Sequence, residues 1–96
     1  MNAPKPIVIL GSTGSIGTQA LLVAKALPQY LRVVGLAANS NVELFAEQVR
    51  EWKPQIAALH DEKAARRLRE YSFPDTKIVS GVGGLEEVAT WPAGHR

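Results

Sequence analysis

The chain contains no cysteine. That excludes disulfides, thiolate metal sites and cysteine nucleophiles, and it fits a reducing cytoplasm. No apolar run approaches the roughly 18 residues that a membrane-spanning helix needs. There is little excess of either charge: 11 Lys and Arg stand against 9 Asp and Glu, for a net charge of +2. The basic residues are scattered or accompanied by acids, so there is no footprint for nucleic acid. Lys63 to Glu70, the densest charged run, reads as a solvated helix face. His60 and His95 are the only histidines. Neither has a nearby carboxylate pattern resembling a metal site or a catalytic triad. Internal repeats and low-complexity segments are also lacking. Met1 to Pro6 is too short for a signal or transit peptide and reads as a flexible lead of residues 1–6. At 96 residues the chain can hold one small domain.

What is present begins at once. Ile7 to Leu10 is an unbroken apolar run, the mark of a strand buried on both faces of a parallel sheet. It leads straight into Gly11, Gly14 and Gly17, spaced three apart. Helical periodicity follows. A strand, a glycine-rich turn and a helix N-terminus together make a ready pyrophosphate site. In that reading Gly11 makes the tight turn, Gly14 lets phosphate approach the backbone, and Gly17 lets the helix pack close to the strand. Ser12, Thr13 and Ser15 supply hydroxyl donors. The competing reading of the same pattern is a plain strand-to-helix turn.

The remaining elements alternate. Ile16, Ala20, Val23, Ala24 and Leu27 form the stripe of a first helix, expected to be its buried side, and Pro28 ends it. Arg32 to Ala38 reads as a second strand. Val42 to Lys53 reads as a helix with Val42, Phe45, Val49 and Trp52 on one face. Ser40 with Glu43 fits a capping box for it, and Asn41 is the rival cap. Gln55 to His60 is a third strand. Asp61 caps a third helix from Glu62 to about Tyr71, with Ala65, Leu68 and Tyr71 buried. Lys77 to Ser80 is a short fourth strand, Gly81 to Gly84 a plain turn, and Leu85 to Thr90 a short helix. The pattern predicts an α/β fold: a Rossmann-like open parallel sheet of about four strands in the order 4-3-2-1, with flanking helices. It is an incomplete one, since the first strand is left with a bare edge where a doubly wound sheet has a neighbour. The expected organisation is a partial nucleotide-binding domain over residues 7–90 and an unstructured tail over 91–96.

The end of the second strand bears on cofactor choice. NAD sites commonly place an acid there, about 20 residues after the glycines, to grip the ribose hydroxyls. Here that place holds Asn39, Ser40 and Asn41, and the nearest acid is Glu43. Neutral donors and a helix N-terminus accept the extra phosphate of NADP, so NADP is favoured over NAD. Ser40 and Asn41 can also be simple helix caps. No residue combination qualifies as catalytic, and none as a metal site. From the residues alone, the chain is an NADP-binding α/β segment of an oxidoreductase.

Residues 9–19, I-L-G-S-T-G-S-I-G-T-Q, resemble the N-terminal signature of the 1-deoxy-D-xylulose 5-phosphate reductoisomerase family. Arg32 to Ala38 followed by Asn41 and Val42, then Glu47-Gln48 and Pro54, are similar to the same family, and the likeness runs from Ile7 to about Val88. The resemblance implies an NADPH-dependent enzyme of non-mevalonate isoprenoid biosynthesis. Such an enzyme converts 1-deoxy-D-xylulose 5-phosphate to 2-C-methyl-D-erythritol 4-phosphate, uses Mg or Mn, and forms a homodimer. It also implies that Thr13, Gly14, Ser15 and Ile16 contact NADPH at the turn and Asn41 after the second strand; Gly11, Gly17, Asn39 and Ser40 join the expected cofactor site on the reading of the residues themselves. Asn39 stands where the family usually has glycine, and Ser40 where many members have lysine or arginine. The family's metal ligands and its contacts to the sugar-phosphate substrate lie beyond Arg96, so this chain alone is expected to be inactive, with metal, substrate and C-terminal domains absent. A bacterial cytoplasmic location is expected, with no membrane or nucleic-acid partner. The alternatives are a free-standing NADP-binding module and a fragment of another NADP-dependent reductase.

Overall fold

The structure, a computed structural model, describes residues 3–94. Four strands and four helices alternate: β1 (Lys5–Leu10), α1 (Ser15–Ala26), β2 (Leu31–Ala38), α2 (Val42–Trp52), β3 (Ile56–Leu59), α3 (Glu62–Leu68), β4 (Lys77–Ser80) and α4 (Gly81–Gly94). The strands form one sheet in the order β1-β2-β3-β4, and every pairing is parallel. This is the expected Rossmann-like topology. In the register, Leu10 lies beside Ala37, and Ala38 beside Leu59. The ends that carry the glycine turn and the Asn39 segment are therefore neighbours.

Side chains alternate across each strand, so the sheet has two cores. Leu36, Ala57 and Leu59 face a layer built from α1, α2 and α3, where Leu21, Phe45, Val49, Ala65 and Leu68 are buried. Ala37, Ile56 and Ala58 face the other way, against Val88 of α4. Helices on both faces explain why β2 and β3 lack polar alternation. Among the described residues, the outer edge of β1 has no strand beside it.

Three local expectations are corrected. In α1 the packed residues are Gly17, Leu21 and Ala24. Ile16 is 86% exposed, Val23 53% and Leu27 37%. The stripe exists, but it lies about a quarter turn away from the sheet, given 3.6 residues per turn. Thr18, Leu22 and Lys25 line a groove shared with α2. Ile16, Val23 and Leu27 lie on the opposite flank of the helix. Gly17 sets this rotation, because only a residue without a side chain can face the strand at that point.

The second correction concerns the last helix, which begins at Gly81 and includes the predicted turn. Glycine is a poor helix former, but packing wins here. Gly84 is buried, and a Cβ on it would lie 3.1 Å from the Val79 backbone. The helix continues through Trp91 to Gly94, where the sequence reading expected a tail; His95 and Arg96 lie outside the described residues. The third is Tyr71, which lies past the end of α3 and is 39% exposed. It stacks on Phe73 at 5.9 Å instead of entering the core.

The rotation of α1 can be checked directly. Val23→Ser is expected to change stability by no more than about 0.5 kcal/mol, the usual range for surface substitutions. Leu21→Ala is expected to cost about 2–5 kcal/mol. Urea denaturation of the two variants measures the contrast; the reverse ranking would place the sequence stripe in the core.

Candidate cofactor site

At the end of β1 the chain passes through Gly11 at φ 73°, a left-handed conformation that favours glycine. Ser12 N–H donates to the Ala37 carbonyl at 2.9 Å, and Gly14 N–H donates to the Gly11 carbonyl at 3.0 Å. These two bonds close the turn. Gly14 then serves as N-cap of α1 in an extended conformation, with no side-chain hydrogen bond to the helix and no acid in the first turn. By contrast α2 is capped by the Asn41 side chain, which accepts from Leu44 N–H at 3.3 Å, and α3 by Asp61, which accepts from Ala64 N–H at 2.9 Å. Each of these helices also has a glutamate in its first turn. The first turn of α1 thus presents backbone N–H groups and the positive end of the helix dipole with no carboxylate to neutralise them. That is the chemistry of an anion site.

Gly17 supports this arrangement from below. A Cβ there would lie 2.0 Å from the Gly11 carbonyl oxygen. Gly14 differs: its Cβ would meet just that oxygen, at 3.5 Å, an ordinary contact. Thr13 is half-buried, while Gly11, Gly14, Ser15 and Ile16 are exposed around the turn. The hydroxyl of Ser12 is not a donor to a ligand. Ser12 is fully buried, and its Oγ donates to Gln48 Oε1 of α2 at 2.7 Å. Sequence reasoning missed Gln48. The available signal was an amide on the otherwise apolar side of α2, next to Val49 and three residues from Phe45.

Asn39, Ser40 and Asn41 follow β2 beside the turn, all exposed. Asn41, not Ser40, is the cap of α2, so the predicted capping box does not form. Glu43 instead reaches Arg67 of α3, at 2.6 Å. Its carboxyl is held below the ordinary carboxylate range by a backbone hydrogen bond and by the Arg67 guanidinium. The acid nearest in sequence to the end of β2 is thereby matched by a cation.

The ladder between β2 and β3 continues past the strands, with His60 N–H donating to the Ala38 carbonyl and Asp61 N–H to Asn39, both at 3.0 Å. A cavity of about 300 Å³ opens at this end, lined by Leu10, Gly11, Ala37, Asn39, His60 and Leu85. His60, which the sequence gave no reason to single out, is part of its wall. A larger hollow of about 460 Å³ lies at the opposite end of the sheet, near Pro4, Pro28 and Arg32. It has neither a glycine turn nor a helix N-terminus. Open α/β sheets bind ligands outside the carboxyl ends of their strands, so the smaller cavity is the relevant one. Among the described residues no three His, Asp or Glu side chains gather as a metal site, and no helix is long and apolar enough to cross a membrane.

A parallel sheet whose first strand runs through such a turn into a helix with no side-chain cap is a unit of the Rossmann type. The sequence profile of 1-deoxy-D-xylulose 5-phosphate reductoisomerase matches residues 7–95, and the chain belongs to that family. It is 45% identical over 89 residues to the enzyme of that name from Thermoanaerobacter sp. (strain X514) and 47% identical over 88 residues to 1-deoxy-D-xylulose 5-phosphate reductoisomerase 1 of Bacillus anthracis. These alignments cover 93% and 92% of the chain but 23% of each relative. The chain therefore spans about a quarter of the length of the curated relatives it matches. Among solved structures, the Zymomonas mobilis reductoisomerase in complex with NADPH superposes with a TM-score of 0.80 at 30% identity, covering 92% of this chain and 24% of that one. A DOX-P reductoisomerase in complex with NADPH, fosmidomycin and magnesium gives 0.78 at 28% identity, covering 90% and 22%.

Proposed function

We propose that this chain is the NADPH-binding N-terminal portion of a 1-deoxy-D-xylulose 5-phosphate reductoisomerase. The observation that carries the reading is the α1 N-terminus, without a side-chain cap and free of acids, set on the Gly11–Gly17 turn. The residues fit the cofactor. Thr13, Ser15 and Ile16 hold the pyrophosphate through backbone N–H groups and the helix dipole, Gly14 lets it approach the backbone, and Gly11 and Gly17 shape the turn. Asn39, Ser40 and Asn41 receive the adenosine end. The two acids near that end are both engaged: Glu43 pairs with Arg67, and Asp61, whose N–H meets the Asn39 carbonyl, caps α3 with its carboxylate. When bound, NADPH supplies a hydride for reduction of the rearranged sugar phosphate.

In the whole enzyme, the ligands for Mg or Mn and the contacts to 1-deoxy-D-xylulose 5-phosphate come from elements other than those described here. The product is 2-C-methyl-D-erythritol 4-phosphate, on the non-mevalonate isoprenoid route. The same reading makes residues 7–90 part of a larger cofactor domain, whose next strand pairs with the open edge of β1. It places the enzyme in a bacterial cytoplasm as a homodimer, with no nucleic-acid or membrane partner.

Fluorescence titration of the chain tests the reading. NADPH is expected to bind with micromolar affinity, and NADH about tenfold more weakly, a difference of about 1.4 kcal/mol. With substrate and Mn present, the chain is expected to oxidise no NADPH. Preference for NADH would overturn the cofactor assignment; turnover would overturn the dependence on elements elsewhere.

A further inference from the structure

Ser12 and Gln48 are joined twice. Ser12 Oγ donates to Gln48 Oε1 at 2.7 Å, and Gln48 Nε2 donates to the Ser12 carbonyl at 2.8 Å. Ser12 is 0% exposed and Gln48 6%. A buried amide is costly unless its donor and its acceptor are both satisfied. Here both are, and an apolar side chain could fill the same space without that demand. What the amide adds is a fixed geometry between two segments 36 residues apart.

Those segments are the two halves of the candidate site. Ser12 lies inside the glycine turn, between Gly11 and Thr13. Gln48 lies on α2, about two helical turns from the Asn41 cap. We infer that Gln48 is a positioning residue: a strut that sets the glycine turn at a fixed distance from the N-terminus of α2. It touches no ligand. It acts through Ser12 on the N–H groups of Thr13 to Ile16, and it sits on the same rigid helix whose first turn faces the adenosine end. This inference rests on the NADPH reading.

The strut makes a prediction that simple packing does not. NADPH engages both halves of the site, the pyrophosphate turn and the 2′-phosphate end. NADH engages the turn but has no phosphate for the other half. Loss of the strut should therefore weaken NADPH more than NADH, because small errors of placement are magnified when two contacts must be made together. Gln48→Leu removes both bonds while keeping apolar bulk. It is expected to raise the NADPH dissociation constant about tenfold and that of NADH about threefold, narrowing the preference. Ser12→Ala removes one bond and leaves the one to the backbone carbonyl, so about a threefold loss for NADPH is expected. If Gln48→Leu does not fold, the narrowing of preference in Ser12→Ala decides.

A second measurement needs no cofactor. Amide hydrogen exchange at Ser12 and Gly14, whose N–H groups are bonded to the Ala37 and Gly11 carbonyls, should quicken at least about tenfold in Gln48→Leu, while amides of α3 keep their rates. An unchanged NADPH-to-NADH ratio with unchanged exchange would overturn the inference, as would a larger effect from Ser12→Ala than from Gln48→Leu. Failure of the unsubstituted chain to bind NADPH would overturn the proposed function instead, and exchange alone would then judge the strut.

Discussion

Gly17→Ala is expected to unfold the chain, or to leave it barely folded. The added Cβ would lie 2.0 Å from the Gly11 carbonyl oxygen and 2.7 Å from both the Gly11 carbonyl carbon and Ser12 Cα. All three are backbone atoms, so no rotamer change can relieve the clash. The helix must move by more than an ångström, and Leu21 and Ala24, buried on the same face, must move with it. Overpacking of this kind costs about 3 kcal/mol or more. In a domain of this size that lowers the melting temperature by roughly 12–24 °C. Thermal melting followed by far-UV circular dichroism measures it. A midpoint within a few degrees of the unsubstituted chain would show that α1 does not sit against the turn as described.

Gly14→Asp, three residues away, is expected to do the opposite. The chain folds and the cofactor is lost. Gly14 has φ −85° and ψ 175°, open to any residue, and its Cβ would meet a single atom at 3.5 Å. Aspartate is also a strong N-cap, so stability should hold or rise. The carboxylate would, however, take the N–H groups that a pyrophosphate needs and add a negative charge beside it. A loss of at least about 100-fold in NADPH affinity is expected, equivalent to about 2.7 kcal/mol. Titration alongside a melt separates the two effects. Unchanged affinity would move the pyrophosphate off this turn. The pair of substitutions divides one motif into a glycine required by the fold and a glycine required by the ligand.

Much of the fold was legible because its signals are local. Apolar runs without alternation marked the parallel strands, and Pro28 and Asp61 marked helix ends. The glycine spacing located the turn, and the lack of an acid between Ala38 and Asn41 pointed to NADP before any geometry was known. Other features were hidden because they depend on what lies opposite in space. The hydroxyl of Ser12 has the same chemistry as those of Thr13 and Ser15, and only the position of Gln48 takes it out of the site. Ser40 fitted a capping box with Asn41 as its rival until the start of α2 at Val42 put the Asn41 side chain on Leu44 N–H. His60 became part of a cavity wall when β3 was laid beside β2 and α4 closed over them. Gly81 to Gly84 resembled a turn by propensity, yet packing on β4 made them helix.

By itself the sequence determined the order and kind of the elements, the parallel sheet, the glycine turn and the family, because each is written in residue types at short spacing. The tertiary structure alone decided which side of α1 is buried, where the hydroxyls of the turn point, and how that turn is tied to α2. Those outcomes depend on contacts between residues far apart in the chain, such as Ser12 meeting Gln48, 36 residues away, and no local pattern encodes them.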